Sequence, residues 1–501
     1  MGGRLAGEAT GGRHAVARLP RRAYTSPGMT TVTRDATTWP TKLMRGARAA
    51  ALALGMLAAA MPAKAQPQQG GIPIIRDTET EQLLRDYARP ILRAAGLDVG
   101  SGIEIVVVND RGFNAFVVDG RRIFITIGTL LESTRPNETI GVLAHEAGHI
   151  AGGHLARLRE QMQAAQNTSI VAMILGLAGV LAGAATRGAG AADIAGAAGG
   201  LAMGGQDLAA RTFLAYARAE EQAADRAAVN FLTATRQSPR GMVDVFARMS
   251  DAMLVTARAA DPYMQSHPLP QDRLVTLREM LARSPHRDAV DPPALVARHR
   301  LMQAKISGFL ERPDQVLRRY PVTDRSLHAR YARAISAYRN GGGPEAIAAI
   351  DALVAEQPSN PYFHELKGQA LLETGNPRAA IASYRRALQL APGAPLVRAG
   401  LGRALVTTND RALAGEAIRE LDRALAADDE IPFAHRMLAQ AHGMNGDNGR
   451  AQLATARGHM VEGNLTMAQA AARRAQAQLP RGSPAWIRAD DIINARPQRR
   501  E

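Results

Sequence analysis

No cysteine occurs anywhere in the 501 residues. That excludes disulfides and every thiolate metal site. Any bound zinc must therefore be held by histidine and carboxylate, and an exported form of the chain must rest on its core, its metal or both. Aromatic residues make up only 4% of a chain that is 46% hydrophobic, so Ala, Leu, Ile and Val must do most of the packing. Long apolar runs are missing too. Ala49 to Met61 is too short to span a bilayer. Ile170 to Ala185 is apolar, but it lies in a Gly/Ala-rich stretch, 168–205, and Arg187 follows closely. A membrane span wants about 18–20 strongly apolar residues. This favours a mobile helical hairpin or lid over a crossing, with peripheral membrane contact through 168–205 as a further reading. There is also no basic run, RNA motif or aromatic platform, so nucleic acid is discounted as a partner despite a pI near 10.7.

What is present begins with an export signal. Arg45 and Arg48 precede the apolar stretch, and Ala63-Lys64-Ala65 forms a small-x-small cleavage site before Gln66. Residues 1–65 are expected to be presequence and signal peptide, cleaved after Ala65, with Met29 or Met44 as alternative starts. An uncleaved N-terminal anchor is the competing reading. These residues hold ten Lys+Arg and two Asp+Glu, so the formal +15 falls by 8 to +7 in the mature chain. An exported chain without cysteine suits a bacterial periplasm.

The mature chain divides by pattern. Thr78 to Ala95 places Leu83, Leu84, Tyr87, Ile91 and Leu92 at helical spacing. Ile103 to Val108 reads as a strand. Asn114 to Val118 and Arg122 to Ile127 flank Asp119-Gly120, a hairpin signal. The pattern predicts further helices near 137–159, 213–235, 239–254, 273–282 and 293–309, and a proline-punctuated linker follows. Beyond it, Ala334, Gly368 and Gly402 recur every thirty-four residues, as do Ala346 and Ala380, and Pro358 and Pro392. This is the tetratricopeptide period: small residues let paired helices approach, and the proline closes each unit. A third unit places Ala417 and Ala424, a fourth is degenerate at Ala439 and Ala451, and two last helices form a cap. The expected domains are 66–310, read as a zinc metalloprotease domain on the motif His145-Glu146-Ala147-Gly148-His149; 311–326, a linker; and 327–495, a repeat domain with a concave peptide-binding surface. The expected fold class is α+β, mostly α: a zincin-type domain with a small β-sheet, followed by an α-solenoid.

Residues 145–149 read His145-Glu146-Ala147-Gly148-His149. On a helix, positions four apart share a face, so both imidazoles can reach one Zn²⁺ at roughly 2.0–2.1 Å. Glu146 can reach a metal-bound water as general base. A catalytic zinc needs a third protein ligand. Glu221 and Asp225 lie four apart on the helix predicted at 213–235, so Glu221 can bind zinc and Asp225 can accept the other N–H of a ligating histidine. Glu220 has no carboxylate four residues on, which makes it the weaker choice. His154, about 140° from His149 on a continuous helix, is assigned a structural or helix-surface role. His267, opening the stiff His267-Pro268-Leu269-Pro270, could approach the open zinc position as a regulatory fourth ligand. Asn114-Ala115-Phe116 is a shelf for an extended substrate if its strand lies at a sheet edge.

On these motifs the chain resembles the BepA-like periplasmic metalloproteases, a signal-peptide and tetratricopeptide branch of the gluzincin family that includes HtpX and the CaaX prenyl proteases. The residues carrying the likeness are Asn114 to Phe116, His145 to His149, Arg218 to Asp225, His267 to Pro270 with Arg273, and Asn360 to Gly368. Ala217 departs from the usual serine. The resemblance implies one Zn²⁺ per chain on His145, His149 and Glu221, Glu146 as base, and His267 as the residue able to fill zinc's fourth position. It implies a periplasmic zinc endopeptidase acting on unfolded or stalled outer-membrane proteins, docked to the outer-membrane assembly machinery through its repeats. The alternatives are a chaperone-like client-binding scaffold with a latent or silent zinc site, and an integral membrane protease spanning at 170–185.

Overall fold

The structure, a computed structural model, describes residues 73–97, 102–118, 120–154, 156, 157, 160, 218–255 and 271–496. The signal segment, the stretch 168–205 and His267 lie outside them. Among the described residues no helix is long and apolar enough to cross a membrane.

The N-terminal half packs helices on a four-stranded sheet. Strand β1 (Ile74–Ile75) leads into helix α1 (Thr78–Ala94), whose N-cap Asp77 accepts the Thr80 N–H. Strands β2 (Glu104–Val108), β3 (Ala115–Val117) and β4 (Arg122–Thr126) follow, in spatial order β1-β2-β4-β3. The β3–β4 pair is the antiparallel hairpin expected around Gly120, which sits at φ +73°. β2 and β4 pair in parallel, with Ile105 opposite Ile123 and Val107 opposite Ile125. β4 is buried from Ile123 to Thr126, as a central strand should be.

Next come α2 (Ile127–Glu132) and α3 (Pro136–Gly152), a helix at 218–234 termed α4, α5 (Arg240–Val255) and α6 (Gln271–Arg283). Pro136 opens α3 at a position where its missing N–H costs nothing, and Glu138 accepts both the N–H and the hydroxyl of Thr134. Every residue from Pro136 to Gly148 is buried. α3 ends sooner than its sequence pattern suggests, because Gly153 takes the left-handed cap at φ +65°.

Helix α7 (Pro293–Leu310) is built into two cores at once. Met302 and Ile306 pack with Leu83, Ile91 and Ile127 below the sheet, whereas Leu301 and Ala304 pack with Tyr331, Ala332 and Ile335 of the solenoid. The expected linker contains a short helix, α8 (Pro313–Arg319), whose Val316 is fully buried. Its proline marks a helix start rather than a break.

The solenoid stacks helix pairs: α9 (Leu327–Arg339) with α10 (Gly343–Glu356), α11 (Pro361–Glu373) with α12 (Pro377–Leu390), α13 (Pro395–Thr407) with α14 (Ala414–Ala427), α15 (Pro432–Met444) with α16 (Asn448–Val461), and α17 (Leu465–Gln476) with α18 (Pro484–Asn494). Ala334, Gly368 and Gly402 occupy equivalent positions in the first helix of successive pairs. A Cβ on Gly368 would stand 2.9 Å from the Tyr384 ring, and one on Gly402 would stand 2.5 Å from Leu421. The small residues of the repeat are therefore a packing requirement of the paired helix.

Candidate metal centre

α3 delivers His145, Glu146 and His149, and α4 delivers Glu221 and Asp225. The two helices approach closely at Gly148, where a Cβ would come within 2.8 Å of the Ala224 carbonyl. The opposite end of α3 is pinned by Asn137, which donates to Ser238 O and accepts from Gly241 N.

His145 and Glu146 are fully buried and Glu221 nearly so. The Nε2 atoms of His145 and His149 lie 3.1 Å apart, and each is 3.3 Å from an oxygen of the Glu221 carboxylate. Three ligands around a tetrahedral ion with bonds of about 2.0–2.1 Å would be separated by roughly 3.3–3.4 Å. The His/His/Glu set thus has the spacing, and the nitrogen–oxygen donor chemistry, of a zinc site with one position left open; it is the one group of this kind recognised among the described residues.

Partners behind these groups fix their orientation. His145 Nδ1 lies 3.0 Å from Asp225 Oδ1. Arg273 of α6, almost completely buried, donates to both oxygens of Asp225 (2.8 and 2.9 Å) and lies 2.9 Å from Glu221 Oε2. Its guanidinium stands 5.4 Å from the centroid of Phe246, whose ring packs edge-on against His145. Burial disfavours charge on His145, but the hydrogen bonds of Asp225 and Glu221 outweigh it and hold its pKa up at about 10. Burial likewise disfavours charge on Asp225, and His145 with Arg273 overcomes it, keeping that carboxyl below its usual value. An environment that retains a proton this strongly also favours a cation in its place.

His154 turns out to be part of this arrangement. α3 stops at the left-handed Gly153, and His154, helical again just beyond it, places Nδ1 2.9 Å from His149 Nδ1 and Nε2 2.7 Å from Glu220. The 140° argument assumed a helix continuing through Gly153. Burial, and then the neighbouring His149, push the His154 pKa down to about 4. Glu220, set aside as a ligand, instead holds His154 and Arg157. The role of Arg273 also went unread in the sequence. The residue was noted near His267, but nothing local says that a cation fifty residues away clamps both carboxylates of α4.

β3 is the outer strand of the sheet, next to α3. It carries Ala115 and Phe116, with Asn114 at its entrance, and Phe116 stacks on Phe124 at 5.2 Å. The remaining sequence-derived site residue, His267, lies outside the described residues.

Residues 76–281 match the model of peptidase family M48. The region that holds the candidate metal centre is similar to the M48 metalloproteases. Tetratricopeptide-repeat models match 331–395 and 371–432 behind the M48 domain. A protein of Yersinia pestis named beta-barrel assembly-enhancing protease is 25% identical over 425 residues, 84% of each chain. A protein of the same name from Escherichia coli K12 is 23% identical over 435 residues, 85% of each chain. One from Vibrio cholerae, named putative beta-barrel assembly-enhancing protease, is 27% identical over 213 residues, 42% of this chain and 41% of that one. The likeness to the first two runs through both the M48 domain and the repeats.

Proposed function

We propose that the M48 domain is a zinc-dependent endopeptidase of the bacterial periplasm, with His145, His149 and Glu221 as the metal ligands and Glu146 as the general base. The observation that carries this reading is the convergence of two imidazole Nε2 atoms and one carboxylate at 3.1–3.3 Å, with Glu146 buried on the same helix. Zn²⁺ held by His145, His149 and Glu221 would supply a Lewis acid to the reacting groups. Glu146 takes the proton from the attacking water and returns it to the leaving amine. Asp225 and Arg273 keep His145 and Glu221 in place. An extended substrate lies along the outer edge of β3 at Asn114, Ala115 and Phe116, bonding through its backbone to a strand whose other side is committed to β4.

The names of the relatives point the activity towards clients of outer-membrane β-barrel assembly, with the repeats binding those clients or the assembly machinery. Support for this comes from the extent of the likeness, which spans the solenoid as well as the M48 domain. The experiment is metal content together with casein cleavage, wild type against Glu146→Gln. Retained zinc with lost cleavage supports the assignment; undiminished cleavage by the variant refutes Glu146 as the base, and a wild type that binds no metal and cuts nothing leaves a scaffold reading.

A further inference from the structure

The sheet has two edges, and only one belongs to the metal centre. The other is incomplete. β1 pairs with Val107 and Val108 alone and then turns off at Arg76 into α1. Glu104, Ile105 and Val106 therefore have no described strand on that side. Burial changes at the same point: Glu104 is exposed and Ile105 and Val106 half-buried, whereas Val107 and Val108 are buried. The Glu104 N–H is spent on Arg121 O in the direction of β4. By strand alternation the Ile103 and Ile105 backbone groups point the other way, off the edge.

That edge opens into a groove of about 590 Å³ between the M48 domain and the solenoid. Recessed in a groove, it can receive one extended chain but not the edge of another sheet, so the usual hazard of an open edge is avoided. The charges on the walls differ. Solenoid residues Asp428 and Asp429 are already paired with Arg76 and Arg457, while Glu430 and Glu104 keep that side of the groove acidic. On the α1 wall the acids are the ones already taken. Glu81 is bound by Arg76 at 2.8 Å and Asp86 by Arg298 at 2.6 Å, leaving Arg85 and Arg89 at 3.6 and 3.9 Å from them and half exposed. The α1 wall therefore has positive charge to offer a ligand.

We propose that this groove is a second, non-catalytic site for an extended polypeptide segment, which adds to β2 at Ile103–Val106 and directs acidic side chains at Arg85 and Arg89. The proposal rests on the endopeptidase reading for its purpose: it would hold one part of a client while another part reaches β3. A strand added here and a substrate strand on β3 would be separated by four strand spacings, roughly 19 Å. Only a long substrate can occupy both, and its two attachments act through effective concentration.

The test uses the full chain and two peptides with one cleavage sequence mapped in casein. One peptide has about eight residues; the other has about thirty and carries a distant valine–glutamate alternating segment. The long peptide should show a KM at least about fivefold lower at equal kcat. Ile105→Pro, which removes the outward N–H while leaving the β4 side intact, should bring its KM to that of the short peptide without changing cleavage of the short one. The double variant Arg85→Glu, Arg89→Glu on the exposed helix face should do the same, and it covers the case in which the proline prevents folding. An unchanged long-peptide KM in the double variant, with the short peptide still cut, overturns the proposal. If the wild type cuts neither peptide, the endopeptidase reading fails instead. Fluorescence anisotropy of the long peptide on Glu146→Gln then decides the groove: binding lost in the double variant supports it, and binding absent or unaltered overturns it.

Discussion

Glu79 offers the sharpest test of how the two halves are joined. It lies in the first turn of α1, is 5% exposed, and accepts a hydrogen bond from Tyr331 Oη of the solenoid at 2.9 Å. One ammonium, Lys305 of α7, serves three carboxylates: Asp77 at 2.5 Å, and Glu79 and Glu365 at 3.6 Å each. Burial raises the Glu79 pKa; attraction to Lys305 only partly offsets that, and Asp77 adds repulsion, so it stands at about 7 against an ordinary value of 4.5. A carboxyl whose pKa is raised on folding contributes stability that is fully present below about pH 4.5 and lost as the pH climbs through 7. A shift of about 2.5 units corresponds to about 3 kcal/mol. Glu79→Gln keeps an oxygen for Tyr331 and removes the charge. It should therefore gain on the wild type as pH rises, reaching up to about 3 kcal/mol in its favour at pH 8, or roughly 6–12 °C for a unit of 150–250 residues. At pH 5 the difference should have shrunk to about 1 kcal/mol or less. Thermal unfolding of both proteins from pH 5 to 8.5, plotted as a difference, reads this directly. A difference that is flat with pH, or a variant that loses ground as pH rises, would refute the reasoning that Glu79 is a buried, poorly compensated charge. Lys305→Met should behave oppositely, costing about 3–5 kcal/mol at pH 8 through the uncompensated carboxylates, with the loss shrinking in acid as Glu79 and Glu365 take up protons.

Other expectations concern the metal centre. Glu146→Gln should lower kcat by at least about 10²-fold with zinc content unchanged; a parallel loss of zinc would make Glu146 a structural residue. Arg273→Met removes the clamp on Glu221 and Asp225 and should weaken zinc affinity about 10–100-fold in a chelator competition, whereas an unaltered affinity would show that α4 holds its carboxylates unaided. Gly148→Val places a side chain against the Ala224 backbone, so it should separate α3 from α4 and lose zinc even though all three ligands remain. Retained stoichiometric zinc would contradict the close approach. His267→Ala should raise casein cleavage if His267 restrains the site, and an unchanged or lower rate argues against that role.

What the sequence could and could not reveal follows from the range of each interaction. The repeat was legible because Gly368 and Gly402 answer to a neighbour in their own or the next helix, and so recur with the unit. The pairing of His145 with His149, and of Glu221 with Asp225, was legible for a similar reason: helical geometry places residues four apart on one face without reference to the rest of the fold. The contact of His154 with His149 was not legible, because the left-handed Gly153 ends α3 and a periodicity argument carries no information beyond the last turn it assumes; the structural role expected of His154 is not contradicted. Arg273, Lys305 and the open half of β2 depend on elements remote in sequence. Lys305 reads as one more charge on an apolar helix until the second half of α7, buried from Leu301 to Gly308 except at half-buried Gln303, is seen to be packed between the M48 core and the first repeat. A fully buried ammonium in that position has to find its counter-charges on both neighbours, and it finds Asp77 and Glu79 on one and Glu365 on the other. The pairing therefore ties the orientation of the solenoid to the start of α1, the same segment whose early turn leaves Glu104–Val106 without a strand partner among the described residues. Moving α1 to extend β1 would cover the edge but withdraw Asp77 and Glu79 from Lys305, so the open edge and the domain joint are two consequences of one turn at Arg76.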